Sequence, residues 1–286
     1  MKVKYFLFFI IFVLIKQATV KAQNNKMFFG NNVRAGHYLK TRGIKLYYET
    51  YGQGQPLLMI HGNGGSIDNF KNQIPYFAKN YRVIVADSRA QGKTIDNRDS
   101  LSYEMMADDL NALLDSLHLK QCYIIGWSDG GINGLLMAMR HPDKVKKLAI
   151  TGANLWPDST ALAPAVFQFM ADQKKQMDDS LRRMKNPSAE FKNSKKLLEL
   201  MIYQPHITLE QLHHIKSPTL VIGGDHDAIP PQHTMQIALA IPQSYLWILP
   251  NSGHSTLINY RDEFNKTVSN FFSKPYRKIE GTDRFN

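Results

Sequence analysis

A serine, an aspartate and a histidine occur in this chain in that order, each just past an apolar run. Together such side chains can carry out acyl transfer. The serine is Ser128, in Gly126-Trp127-Ser128-Asp129-Gly130-Gly131. A G-x-S-x-G stretch between a strand and a helix lifts the hydroxyl clear on a sharp turn. Glycines two residues either side let strand and helix approach without Cβ clashes. The flanks fit: Cys122-Tyr123-Ile124-Ile125 reads as a buried strand and Ile132 to Arg140 as a helix. The amide of Asp129, at the N-terminus of that helix, would face negative charge developing on a bound carbonyl oxygen. Downstream, the strand-like run Pro218 to Gly224 is followed by two aspartates, Asp225 and Asp227, and the run Tyr245 to Pro250 is followed by His254. His254 would take the serine proton and return it to the leaving group, while one of the aspartates orients the imidazole.

The elements that must position these groups alternate along the chain. His37 to Tyr51 reads as a hairpin with Arg42-Gly43 at its turn. Strands then follow at 57–61, 82–86, 121–126 and 146–151, separated by helices at 69–79, 101–119 and 131–141. The second of these helices carries Met106, Leu110, Leu113 and Leu117 on one face. Such alternation predicts a parallel sheet covered on both sides. The rhythm breaks at Trp156-Pro157, and from there to about His206 the pattern is helical, charge-rich and strandless. Sheet rhythm resumes at Pro218, Leu257 to Phe272 reads as a closing helix, and the last dozen residues read as a mobile basic tail. Residues 23–36 are polar and read as loosely ordered.

On these motifs the sequence resembles the α/β-hydrolase superfamily over residues 37–273. Its G-W-S-D-G-G elbow, with Gly152-Ala153-Asn154 after the next strand, looks most like the valacyclovirase-like (biphenyl hydrolase-like) serine hydrolases. The resemblance implies the α/β-hydrolase fold, a mostly parallel central sheet flanked by helices with a helical cap inserted after the sixth strand. With residues 1–22 set apart as a leader on the pattern described below, it divides the chain into a first core part (23–155), a cap (156–208) and a second core part (209–286). It implies Ser128, Asp227 and His254 as a catalytic triad. The family's acid sits in G-x-x-D ahead of an apolar-proline pair, and Gly224 to Asp227 followed by Ile229-Pro230 matches. Asp225 is then a turn residue bonding nearby amides. His61-Gly62-Asn63-Gly64-Gly65 resembles H-G-x-x-G. The Asn63 amide would pair with that of Asp129 as an oxyanion hole in which side-chain identity matters little, and His61 reads as a structural hydrogen-bonding residue. Asp87 to Thr94 resembles D-x-R-G-x-G-x-S, with Ala90 where glycine is usual and Thr94 where serine is usual. The cap would roof the site, and Trp127, Asp68 and Trp156 are candidate substrate contacts. Asp68 has a second reading, preferred here, as the N-cap of the 69–79 helix.

The leader bounds the compartment. Lys2 and Lys4 precede a wholly apolar or aromatic run, Tyr5 to Ile15, and Val20-Lys21-Ala22 offers short residues where a signal peptidase reads. This predicts a secretory signal peptide cleaved before Gln23, and so a periplasmic or secreted protein. The run is too short for the ~20 residues of a spanning helix, so no integral membrane span is expected in the mature chain. The formal charge of +11 falls to +7 once the four leader lysines are removed. Clustered Lys/Arg with interleaved aromatics is missing, so nucleic acid is not an expected partner. The single cysteine, Cys122, reads as a buried inert thiol. No paired Cys or His spacing suggests a metal site, and no cofactor is implied, because acyl transfer needs only protein groups. The expected partner is a small-molecule carboxylic ester, cleaved through an acyl-enzyme. Amide or peptide (iminopeptidase-like) and carbon–carbon bond hydrolysis are alternatives on the same scaffold. A ligand-binding protein of this fold without turnover is the alternative from another class.

Overall fold

The computed structural model describes residues 28–285. The leader read over residues 1–22 lies outside the described residues. Eight strands form one sheet: β1 (Gly36–Thr41), β2 (Ile44–Tyr51), β3 (Gln55–Ile60), β4 (Tyr81–Ala86), β5 (Cys122–Trp127), β6 (Val145–Thr151), β7 (Thr219–Gly224) and β8 (Ser244–Leu249). Their spatial order is β1-β2-β4-β3-β5-β6-β7-β8. Only β2 runs against its neighbours; β3 to β8 pair in parallel. The β1–β2 hairpin turns at Arg42 (φ 45°) and Gly43 (φ 81°), and two consecutive positive φ values match the right-handed twist of the flanking strands.

The helices are α1 (Ile74–Phe77), α2 (Tyr103–Ser116), α3 (Asp129–Arg140), α4 (Pro164–Arg183), α5 (Ala189–Tyr203), α6 (Leu209–Leu212), α7 (Pro231–Ala240), α8 (Thr256–Asn259) and α9 (Arg261–Ser273). Alternate strand residues feed two cores, because successive side chains leave a strand on opposite faces. Leu58, Ile84, Ile124 and Leu148 pack with Leu110 of α2 and Leu135 of α3. Leu57, Val83, Ile125 and Ala149 pack with Phe77, Phe264 and Phe272 from α1 and α9. Central strands buried on both faces explain the near-continuous apolar runs of β3 to β7. Between β6 and β7 the chain leaves the sheet and carries α4, α5 and α6.

The strand order reverses at β3. The chain passes outward from β3 to β4, then crosses back to β5 on the other side. Loops leaving the carboxyl ends of β3 and β5 therefore diverge, and a crevice opens between them, the place where open α/β sheets bind ligands. The glycine turn at 61–65 follows β3 and the Ser128 elbow follows β5, so both stand at that switch point.

Three local expectations are corrected. The helix expected over 69–79 is instead a 3₁₀ turn, Ile67–Phe70, and the short α1. Pro75 has no N–H to give and starts a helix rather than continuing one. Residues 28–36 are not loosely ordered. The fully buried Glu49 carboxylate accepts from the Gly30 and Asn32 amides at 2.8 and 3.0 Å and from the Tyr47 and Tyr51 hydroxyls at 2.6 Å each. The start of the tail is docked: the Tyr245 hydroxyl accepts from Arg277 N–H at 2.7 Å, and Tyr276 stacks on the Tyr245 ring. Nearby, the Lys147 ammonium donates to the Phe271, Phe272 and Lys274 carbonyls at the end of α9. Burial lowers its pKa.

The Asp87–Thr94 loop is braced from below. The Arg89 guanidinium, fully buried, grips Asp109 of α2 through two 2.6 Å bonds and reaches Asp96 at 3.2 Å. Ala90 holds φ 63°, the conformation that suits the glycine usual at this position. Removing one partner of a buried, bidentate ion pair leaves uncompensated charge and costs about 3–5 kcal/mol. Arg89→Ala should therefore lower the denaturant midpoint by that amount of stability, with the slope of the transition unchanged. A shift below about 1 kcal/mol would show that the cluster is not stabilising the loop.

Candidate active site

Ser128 sits at φ 56°, ψ −121°. A residue with a Cβ is strained there, and contacts of backbone on backbone hold the turn. The Ser128 N–H donates to the Thr151 carbonyl of β6 at 2.8 Å, and its own carbonyl accepts from Gly131 at 2.7 Å. A Cβ on Gly126 would lie 2.2 Å from the Gly130 carbonyl oxygen, and one on Gly130 would lie 1.9 Å from that of Ile60. The two elbow glycines thus let α3 cross the ends of β5 and β3 at backbone contact. Gly62 abuts the serine itself, where an added Cβ would meet the Ser128 Cβ at 3.0 Å.

The three side chains expected to act together are brought together. His254 Nε2 lies 2.9 Å from the Ser128 Oγ, and His254 Nδ1 lies 2.6 Å from Asp227 Oδ1. Asp227 is buried and also accepts from the Gly224 and Ile229 amides at 3.3 and 3.1 Å. These bonds aim its carboxylate at the ring. Asp225 is occupied otherwise: its two oxygens accept from the Asn251 and Ser252 amides at 2.9 Å each, and Oδ1 meets His226 at 2.8 Å. Those bonds hold its carboxyl well below the usual carboxylate range. Gly152 (φ 66°) lies under the imidazole, where a Cβ would come within 2.7 Å of His254 Cε1. The ring can reach both partners because residue 152 has no side chain.

The turn after β3 stands beside the elbow. His61 is buried, and its Nε2 accepts from the Ser88 amide at 2.9 Å, so Nδ1 carries the proton and donates to the Gly62 carbonyl at 2.7 Å. Burial lowers its pKa, and it has no free nitrogen for proton transfer. Among the described residues the Asn63 backbone N–H has no backbone acceptor. The Asp129 N–H is the first of α3, a position without an intrahelical partner. Two amide donors beside a serine–histidine pair can stabilise an oxyanion.

The side chains of these two residues are also engaged. Asn63 Nδ2 donates to Asp129 Oδ2 at 2.9 Å and to the Leu197 carbonyl of α5 at 3.2 Å. The Asp129 carboxylate is fully desolvated, which pushes its pKa up to about 6 against the opposing bonds from Asn63 and the buried Tyr103 hydroxyl. The sequence pattern gave no sign of Tyr103, whose partner lies on another element, or of the Asn63 side chain. A pair of short polar residues each next to a motif glycine was the only available signal.

The remaining candidates fall elsewhere. Trp127 donates from Nε1 to the His254 carbonyl at 2.9 Å, bracing the histidine loop. Trp156 bonds Thr160 at 2.7 Å and packs edge-on against His233 with ring centroids 4.8 Å apart. Asp68 is exposed, 3.6 Å from the Lys71 ammonium. It is not the expected N-cap: Ser66 precedes the 3₁₀ turn, and its amide donates to the Asn69 side chain at 2.9 Å.

Asp129 links the site to pH. Its pKa of about 6 when folded exceeds the ordinary carboxylate value, so between about pH 4 and pH 6 the folded state holds the proton that the unfolded chain has lost. Stability therefore falls as pH rises through this window, by an amount on the order of 2–3 kcal/mol. In paired unfolding measurements, wild type should lose that much relative to Asp129→Asn between pH 4 and pH 7. Parallel curves would show that Asp129 ionises normally.

Comparison with known proteins agrees with this architecture. The family model described as alpha/beta hydrolase fold matches residues 55–196. A putative carbamate hydrolase, RutD, of Serratia proteamaculans is 26% identical over 267 residues, covering 80% of this chain and 96% of the relative. The serine hydrolase BPHL of Mus musculus is 27% identical over 259 residues, covering 85% and 88%. The solved structure of a thermophilic esterase from Thermogutta terrifontis superposes with a TM-score of 0.70 at 23% identity, covering 85% of this chain and 99% of that one. That likeness speaks to the fold. With its switch-point elbow, its parallel sheet and these relatives, the chain belongs to the α/β-hydrolase superfamily, as a hydrolase related to the BPHL-like serine hydrolases.

Proposed function

We propose that this protein is an exported serine hydrolase that cleaves a small carboxylic ester through an acyl-enzyme. The observation that carries the reading is the unbroken chain from Ser128 Oγ through His254 to the buried Asp227 carboxylate. His254 Nε2 takes the Ser128 proton as Oγ attacks the ester carbonyl, and the imidazolium is stabilised by Asp227. The Asn63 and Asp129 amides meet the oxyanion. Collapse of the tetrahedral intermediate breaks the bond to the alcohol oxygen, which leaves with the proton from His254. A water activated by the same nitrogen then adds to the acyl carbon, and its collapse frees the acid and restores Ser128. The segment between β6 and β7 roofs the site in this reading and selects the ester; Trp156 belongs to it. Export rests on the charged and apolar pattern of residues 2–22, and mass analysis of the secreted chain should find Gln23 at its N-terminus.

A second reading, carbamate or amide cleavage, draws support from the relative named as a putative carbamate hydrolase. The same nucleophile serves both bonds, and they differ in the leaving group: an amine nitrogen must be protonated by His254 before it departs, whereas the alcohol oxygen of an ester depends on that proton less. Turnover of matched ester and carbamate substrates separates the two.

Ser128→Ala should abolish turnover of a short-chain ester and leave thermal unfolding unchanged to within a few degrees. A fluorophosphonate probe should label the wild type once, at Ser128. Comparable labelling of the alanine variant would remove Ser128 from the nucleophile role.

Asp227→Asn should lower kcat by about two to four orders of magnitude, because the imidazole then settles in the wrong tautomer. Asp225→Asn should lower it less than tenfold, since that carboxylate serves the 251–252 turn. Equal losses in steady-state assays would reverse the assignment of the acid.

A further inference from the structure

The oxyanion turn has almost no side chain of its own with which to fix its donor. Of the four residues Gly62 to Gly65 only Asn63 has a side chain. Gly64 lies at φ 65° with no atom within 4 Å of where a Cβ would be, so nothing packs against that side of the turn. Glycines carry large backbone freedom, yet a misplaced oxyanion donor is a lost one. The only side chain in the turn spends its two amide hydrogens on fixed partners: Nδ2 meets Asp129 Oδ2 at 2.9 Å and the Leu197 carbonyl at 3.2 Å. The first partner belongs to the residue whose backbone supplies the other oxyanion N–H. The second belongs to α5, in the segment inserted between β6 and β7.

We propose that the Asn63 side chain is a positioning strut through which the inserted helices set the oxyanion hole: it ties the two amide-bearing residues to each other and both of them to α5, so that seating the insert and aligning the donors are one event. The proposal rests on the serine-hydrolase reading above. The geometry around α5 supports transmission along this route. One turn before Leu197, Asn193 Nδ2 donates to the Ala90 carbonyl at 2.7 Å, and the buried Lys196 ammonium donates to the Asp96 and Arg98 carbonyls at 2.9 and 2.7 Å. Helix α5 is thereby bolted to the Asp87–Thr94 loop and its continuation, and Leu197 is presented to Asn63 from a fixed platform. Losing the platform frees Leu197 to move away, and the Asn63 bond to Asp129 then holds alone. The strut is neutral and touches no reacting atom; it acts on the transition state by placing the donors, and its bond to Asp129 also favours the ionised carboxylate there. Its removal therefore lowers kcat and leaves substrate binding nearly as it was.

The test is a double-mutant cycle on a turned-over ester, with the fluorophosphonate probe as a separate check. Asn63→Ala should lower kcat about ten- to a hundredfold, with KM changed less than threefold. Affinity for a boronic acid, a tetrahedral mimic that binds Ser128, should fall in step with kcat. Asn193→Ala, which leaves the turn's own sequence intact, should lower kcat at least threefold in the wild-type background and by no further factor in the Asn63→Ala background. Wild-type kcat in Asn63→Ala overturns the proposal, as do multiplicative losses in the cycle. If Asn63→Ala does not fold, an unchanged kcat and boronate affinity in Asn193→Ala overturns it alone. Failure of the underlying reading is distinct: it would appear as a wild type that neither reacts with the probe at Ser128 nor turns over esters.

Discussion

The left-handed backbone at Ser128 is the constraint to which the rest of the molecule is fitted. That conformation is held only because three backbones meet with almost nothing between them. Gly130 rests on the Ile60 carbonyl, Gly126 on the Gly130 carbonyl, and Gly62 on the serine side chain. Such contacts need β3 and β5 to be neighbours, which needs the chain to run from β3 outward to β4 and back across. The reversal of strand order and the strained serine are thus one feature seen at two scales. The crevice arises because the loops diverge there, and the turn is tolerated because the surrounding parallel sheet is buried on both faces and cannot relax around it.

A tension follows from the same crowding. The residue after Ser128 is an aspartate whose carboxylate is buried, in the region where the proposed mechanism would develop negative charge on a bound oxygen. A buried anion opposes that charge, since low-dielectric surroundings screen it little. The protein answers with two neutral donors, Asn63 and Tyr103, and its desolvation holds the carboxylate near the edge of ionisation. The main-chain N–H of Asp129 stands without an intrahelical partner at the helix start, while its side chain is turned away into hydrogen bonds. The division lets one residue carry opposite electrostatic signs on its backbone and its side chain.

What could be read from sequence was what local spacing encodes. Two glycines flanking Ser128, the hairpin at Arg42-Gly43, the alternation of strand and helix and the order of Ser128, Asp227 and His254 all follow from patterns of a few residues. The separation of Asp227 from Asp225 was legible only as a motif match; the structure supplies its reason in the amides of 251 and 252, which claim Asp225. The missed features depend on partners far away in the chain. Asn63 meets Leu197 across 134 positions, Glu49 pins the segment around Gly30 by reaching back 19, and Tyr245 reaches 32 forward to Arg277. The helix expected at 69–79 failed for a local reason, Pro75, which opens a new helix and so splits the segment in two. Asp68 was misplaced with it, since a cap position is defined only once the helix start is known.

The Lys147 ammonium carries a consequence for how the chain comes to be folded. It projects from a central strand, and its acceptors are the carbonyls of residues 271, 272 and 274. During synthesis the strand emerges more than a hundred residues before those acceptors do. A nascent chain still short of them must leave the ammonium in water, and with it one end of the strand next to the elbow strand. Fastening of that strand end by this clasp therefore has to wait for the last helix, and the two ends of the sequence's second half are closed on each other by a single charged side chain.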